Sequence, residues 1–188
     1  MEHAVKIDRR ILRTKQSIKK SFLELFLEKD FESITINDIA DRANVNRGTV
    51  YLHYLDKYDL LDKIIEEHIN ELISQCKKRE VYEVNQELIH EPKPFFDYIC
   101  DHFSFFHTMF SNQRVFVFRD RLQQFISDGL MDKLKKLGSK SYIESELNAQ
   151  FIASAFIGIV EWWIRHQMPY STEFMVDQVK KLFEKNQI

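Results

Sequence analysis

The chain has few of the residues that interrupt or staple a backbone. Its 188 residues include only 4 glycines, 3 prolines and 2 cysteines. So few breakers leave long helices as the expected element. No stretch alternates polar and apolar residues between hairpin turns, so no sheet is expected. Cys76 and Cys100 cannot build a disulfide framework, and their spacing matches no zinc motif. They read as buried, reduced thiols of a cytoplasmic protein. The N-terminus lacks the apolar centre of a signal peptide. The most apolar stretch, Phe151 to Ile164, is too short for a bilayer and contains Glu161, so it reads as a buried helix and no membrane partner is expected. Repeats and low-complexity tracts are missing as well.

The chain is equally poor in catalytic signals. It has no nucleophile motif, no glycine-rich phosphate loop and no acid pair placed for general acid-base work, so an enzyme is not expected. His102 and His107 are five apart, which sets them about 140° apart on a helix. His90, Cys100 and His107 would meet only through fortunate folding. No metal and no cofactor is expected. Glu161 and Arg165, four apart, read as a helical ion pair.

What the chain does have is an uneven charge. The formal net charge is -2. Residues 1–20 nevertheless carry Lys6, Arg9, Arg10, Arg13, Lys15, Lys19 and Lys20 against Glu2 and Asp8. A positive end on an acidic body suits local contact with a polyanion, although a solvated helix face would look the same.

Periodicity predicts an all-α fold of about nine helices. The first spans about Arg10 to Glu28, with Ile11, Ile18, Phe22, Leu25 and Phe26 on one face. Thr35 opens a second as its cap, with Asp38 three residues on in a near capping box. Ile36, Ile39, Ala40 and Ala43 form its inner face. Asn44-Val45-Asn46 is a turn, since Asn tolerates the left-handed region and Asn46 can cap a third helix. That helix is expected from Arg47 to Tyr54, and a fourth, capped by Asp56, from Lys57 to Lys78. The stripe of the fourth comprises Leu61, Ile64, Ile65, His68, Leu72 and Cys76. Residues 79–93 read as a loop.

An aromatic helix from Pro94 to Phe110 should come next, then one from Val115 to Leu137 stopped by Gly138-Ser139. The helix from Glu144 to Gln167 is apolar nearly all round. Leu147, Phe151, Gly158 and Trp162 lie on one side of it, and Ile152, Phe156, Ile159 and Trp163 on another. Such a helix needs cover on both sides, and a second copy of the chain is the simplest cover. The last helix, Thr172 to Asn186, has Thr172 as cap. Met175, Val179, Leu182 and Phe183 make its apolar face.

Two short helices joined by a tight turn, the second rich in side chains that reach bases and phosphates, is the build of a helix-turn-helix. The segment from Arg13 to Leu61 resembles the TetR family of bacterial regulators. The resemblance rests on the basic first helix, Thr35, Asp38-Ile39-Ala40, Gly48-Thr49, Tyr51-Leu52-His53-Tyr54 and Lys57. Asp30 stands where the family usually ends the first helix with Gly, and Asp tolerates the left-handed region that Gly would adopt. Tyr54 stands where Phe is commoner, so its hydroxyl needs a partner or solvent. More faintly, the whole chain resembles the branch containing dihydroxyacetone-kinase co-activators.

The resemblance implies a DNA-binding domain over residues 1–56 and a sensing and dimerisation domain over 57–188, coupled by the helix from 57 to 78. It implies that Thr35, Asn46, Arg47, Gly48, Thr49, Tyr51, His53 and Lys57 contact double-stranded DNA at a pseudo-palindromic operator. Arg47 can donate twice to guanine, and Gly48 lets backbone approach. Tyr51, His53 and Lys57 are expected to hold phosphates. A small hydrophobic effector is expected among Phe103, Phe106, Phe110, Phe118, Leu122 and Trp162, although an aromatic stripe is more often plain core. The expected homodimer seam uses Phe151, Ala155, Gly158, Trp162, Val179 and Phe183. The implied function is a repressor released by its effector. The alternative is a co-activator or assembly module whose C-terminal domain binds a protein.

Overall fold

The computed structural model describes residues 9–80, 92–111, 116–136 and 142–185. Every regular element among these is helical. In chain order they are α1 (Arg9–Glu28), a 3-10 turn (Phe31–Ser33), α2 (Ile36–Ala43), α3 (Arg47–Tyr51), α4 (Lys57–Glu80), α5 (Lys93–Asp101), α6 (Phe103–Ser111), α7 (Phe116–Lys136), α8 (Tyr142–Arg165) and α9 (Thr172–Lys185). The loop expected at 79–93 and the stop at Gly138-Ser139 lie largely outside the described residues. The chain divides into two compact units, Met1–Glu67 and His68–Ile188. The division falls inside α4.

In the first unit, Ile18, Phe22, Leu25 and Phe26 bury the inner face of α1 against Ile39, Ala40 and Ala43 of α2. Ile11, expected on that face, is 43% exposed because it lies in the projecting first turns of α1. Asp30 is a correction to the expected left-handed stop. Its φ of -56° and ψ of 137° are extended, and it leads into the 3-10 turn instead. That turn places Phe31 among Phe22, Phe26 and Tyr58, with ring centroids 5.1–6.2 Å apart. The Arg42 guanidinium reaches back from α2 to both oxygens of Glu28 at 2.7 and 2.6 Å, which fixes α2 against the end of α1.

In the second unit, α8 packs against α6 and α7, while α5 packs against α9 and α6. The expected aromatic helix from Pro94 to Phe110 is in fact two helices. His102 has φ -116° and ψ 30°, which breaks the run. The break lets Phe95 and Phe96 meet Phe156 of α8, while Phe105, Phe106 and Phe110 meet Phe118 of α7. One straight helix could not aim both sets. The cap of α9 is Ser171, whose Oγ accepts from the Phe174 N–H at 3.3 Å. Thr172, the expected cap, is the first helical residue. Cys100 is exposed and Cys76 half-buried, so neither is the buried thiol expected.

Within α8 the structure separates the two apolar sides. Ile152, Phe156, Ile157, Val160 and Trp163 are buried, whereas Leu147, Phe151 and Trp162 are exposed. By length and composition, Glu144–Arg165 is long and apolar enough to cross a membrane. The apolar run judged too short from sequence is thus part of a longer helix. Its inner side, however, is core, and Glu161 pairs with Arg165 at 2.9 Å and with Arg119 at 3.6 Å.

Candidate nucleic-acid interface

The helix-turn-helix is built by local hydrogen bonds that the sequence spells out. Thr35 accepts from the Asp38 N–H at 3.2 Å, and Asp38 Oδ2 accepts from the Thr35 N–H at 2.8 Å, closing a capping box. The Thr35 hydroxyl also donates to Asp38 Oδ2 at 2.7 Å. Lys29 Nζ lies 2.9 Å from the same carboxylate. These bonds, Lys29 first and Thr35 next, pull the Asp38 carboxyl down to about 2. At the other end of α2, Asn44 adopts the left-handed region, with φ 53° and ψ 48°. Its N–H and that of Val45 close back on Asp41 and Ala40 carbonyls at 3.2 and 3.0 Å. The chain turns within three residues.

Asn46 then caps α3, its Oδ1 accepting from the Gly48 N–H at 2.9 Å. α3 ends at Tyr51, three residues short of the expected end, where the backbone tightens and the His53 and Tyr54 N–H groups both reach Val50 O at 3.0 Å. Val50 and Tyr54 are buried beneath it. Arg47 and Gly48 face outward, and Thr49 and His53 are half-buried. The Arg47 guanidinium lies 5.4 Å from the Tyr51 ring centroid and donates to its hydroxyl at 3.2 Å. Tyr51 itself is 45% exposed. The pairing holds a cation at the outer surface of α3. A Cβ on Gly48 would meet only Asn46 Oδ1, at 3.4 Å. Among the described residues nothing else crowds that position.

Residues 22–64 match the family model for bacterial regulatory proteins of the tetR family. Residues 93–185 match the model of a transcriptional regulator C-terminal region, also of TetR type. The chain belongs to the TetR family. Both matched models describe transcriptional regulators. The regulator YxbF of Bacillus subtilis (strain 168) is 41% identical over 73 residues, which span 38% of this chain and only 19% of that relative. A TetR-family regulator from Syntrophomonas wolfei has the same fold, with a TM-score of 0.72 at 21% identity over 92% of this chain and 94% of that one. DhaS, a dihydroxyacetone kinase operon activator, superposes with a TM-score of 0.60 at 22% identity, covering 92% and 95%. FadR of Bacillus subtilis, solved with stearoyl-CoA, gives a TM-score of 0.64 at 18% identity, covering 89% and 96%. At these identities the likeness is one of fold.

Other expected contacts of the TetR-type chain have partners inside the fold. The Lys57 ammonium donates to Phe31 O at 3.0 Å and Glu32 O at 2.9 Å. The first N–H groups of α4, at Tyr58 and Asp59, are taken by Asp56 Oδ1 at 2.8 Å each. Lys19 turns to Glu67, leaving Arg9 and Arg13 among the exposed cations of α1. The Tyr54 hydroxyl is buried and finds no hydrogen-bond partner among the described residues. Burial, then the charges of Glu67 and Asp59, push its pKa up to about 12. Leu52 and Leu55, at the α3–α4 corner, are both 80% exposed.

In the second unit, Phe106 and Phe110 each meet Phe118, with ring centroids 5.8 and 5.3 Å apart, and Leu122 is buried. Phe103 is half-buried beside His107, and Trp162 is 44% exposed beside His166 and Tyr170, so both stand apart from that cluster. Val179 and Phe183 are corrections to the expected seam. They are buried inside this chain, at 0% and 5% exposure, because α9 turns them toward the core. Phe151, Ala155, Gly158 and Trp162 remain on the surface. Among the described residues no cluster of three potential metal ligands is present.

Proposed function

We propose that this regulator acts as a homodimer that reads a pseudo-palindromic operator through the outer surface of α3 and releases it when a small apolar effector binds the second unit. The observation that carries the reading is the exposed start of α3. There a capped helix presents Arg47, Gly48 and Thr49, and Arg47 is held over Tyr51. An arginine so placed suits paired donation to guanine O6 and N7. Thr35, Asn46, Tyr51 and His53 flank it at the helix starts and would contact phosphate or sugar. Bacterial operators place this work in the cytoplasm, on the nucleoid.

Two-fold operator reading needs two copies. The stripe of Leu147, Phe151, Ala155, Gly158 and Trp162 on α8 supplies an apolar, small-residue face for the second one. Gly158 has nothing within 4 Å of a built Cβ, which leaves room for a close helix approach. Effector control would use the Phe106, Phe110, Phe118 and Leu122 cluster. α4 begins in one unit and ends in the other, so an effector preferring the conformer that does not bind DNA would act through it. The stearoyl-CoA bound to FadR makes long acyl chains the first effectors to test. Effector binding measured with and without operator DNA is decisive, because linkage is reciprocal. An acyl ligand that binds the complex and the protein alike is not the inducer. The second reading, activation through a protein partner, is favoured by the fold shared with the activator DhaS.

A further inference from the structure

Resting on the DNA-binding reading, we infer that Tyr51 determines sequence preference through Arg47: its hydroxyl and ring hold the guanidinium where it reads a base, so that grip on the backbone and reading of the sequence are coupled. Arg47 and Tyr51 are the first and last residues of α3. Four apart, they lie on one face of the helix. Arg47 Nη2 donates to the Tyr51 hydroxyl at 3.2 Å, and the guanidinium carbon lies 5.4 Å from the ring centroid. That distance is within reach of a cation-π contact. Among the described residues no carboxylate pairs with Arg47, and the Tyr51 hydroxyl has no second hydrogen-bond partner. Arg42 is the contrast, since Glu28 takes up its guanidinium with two bonds. That arginine serves the fold, whereas Arg47 is held by Tyr51 alone.

An arginine that nothing holds has many rotamers, and a base that fixes it must offset the freedom lost. Tyr51 removes part of that freedom before DNA arrives. The backbone beneath is set as well. Asn46 caps α3 through the Gly48 N–H at 2.9 Å, and Val50 is buried, which turns Arg47 and Tyr51 outward together. A guanidinium carries five N–H donors. One goes to Tyr51 and guanine O6 and N7 take two, so the tie and the base contact coexist. The phenol is matched in the same way. Its oxygen accepts from Arg47 while its O–H stays available to a phosphate oxygen. Phosphate, Tyr51, Arg47 and guanine then form one chain of hydrogen bonds, in which each bond polarises the next. Loss of the middle hydroxyl weakens the base contact as well as the phosphate contact.

The test is a double-mutant cycle on the full chain, with wild type, Tyr51→Phe, Arg47→Ala and the double variant. Each is titrated by fluorescence anisotropy against two labelled duplexes at one salt concentration. One duplex is selected by the wild-type protein from a random pool, and the other is of random sequence. Phenylalanine keeps the ring and removes the hydroxyl. Tyr51 is 45% exposed, so the fold should tolerate the change, and melting curves check it. With Arg47 present, Tyr51→Phe is expected to weaken the selected duplex on the order of tenfold and the random duplex about threefold. With Arg47→Ala, the same change weakens both duplexes alike, by the smaller factor. Equal losses on both duplexes in both backgrounds would mean an independent phosphate contact and would overturn the inference. Unchanged affinity for both duplexes would overturn it too. If Tyr51→Phe does not fold, Tyr51→Leu decides by the same readings. Wild-type protein that selects no sequence from the pool would refute the DNA-binding reading itself and this inference with it.

Discussion

At the residue scale, two side chains of the helix-turn-helix make opposite predictions. Tyr54 is 3% exposed, and its hydroxyl has no hydrogen-bond partner among the described residues. Burying an unmatched hydroxyl costs free energy, so Tyr54→Phe should stabilise the protein by ~1 kcal/mol. The raised pKa sets the pH dependence. The neutral phenol is favoured by the fold, so its contribution is complete below about pH 10 and is lost as pH climbs toward 12. Thermal melts should show the gain from Tyr54→Phe widening across that window. A variant less stable than wild type at pH 7 would contradict the account of Tyr54. Arg47, in contrast, should contribute nothing to stability and much to recognition. Arg47→Ala is expected to cost about 1–3 kcal/mol on the preferred site and to relax base preference, read by competition between specific and random duplexes.

At the scale of elements, the caps of α2 and α3 were legible and tertiary aim was not. Thr35, Asp38, Asn44 and Asn46 place the ends of α2 and α3 because each acts on backbone within three residues. Thr35→Ala should therefore destabilise the protein by ~1 kcal/mol. Asp38 adds a pH signature. Its pKa is held at about 2 by Lys29 and Thr35, against an ordinary 3.8. Its stabilising effect is present above about pH 4 and is lost as pH falls toward 2. Asp38→Asn should flatten acid unfolding in that window, measured by helical circular dichroism. The break at His102 was invisible in the sequence, since Pro94 to Phe110 keeps a helical period throughout. What breaks it is long-range, namely two sets of phenylalanines that must face α8 and α7 separately. The backbone partners of Lys57 were hidden for the same reason. Its position marked a helix start, but the carbonyls it meets belong to residues 25 and 26 positions earlier. The Glu161–Arg165 pair was foreseen, but not the reach of Arg165 to Phe110 O at 2.7 Å, which caps the end of α6 from α8.

At the scale of the whole molecule, the sequence showed that α8 is apolar on two sides, and the structure distinguishes them. Phe156 and Trp163 serve the core, while Phe151 and Trp162 face out at 63% and 44% exposure. Phe151→Glu should leave the fold intact and shift sedimentation toward the monomer. Val179 and Phe183 should behave oppositely, with Phe183→Ala costing about 3–5 kcal/mol of stability. In the proposed reading DNA is read at α2–α3 and association falls to α8, so operator symmetry would be a property of the pair.

The most direct test is genomic footprinting of purified wild-type protein beside Arg47→Ala. Defined pseudo-palindromic sites for the wild type, with occupancy and base preference lost in the variant, are the predicted result. No enriched sequence for the wild type, or the same sites at the same occupancy for Arg47→Ala, would contradict the claim that the outer surface of α3 reads DNA.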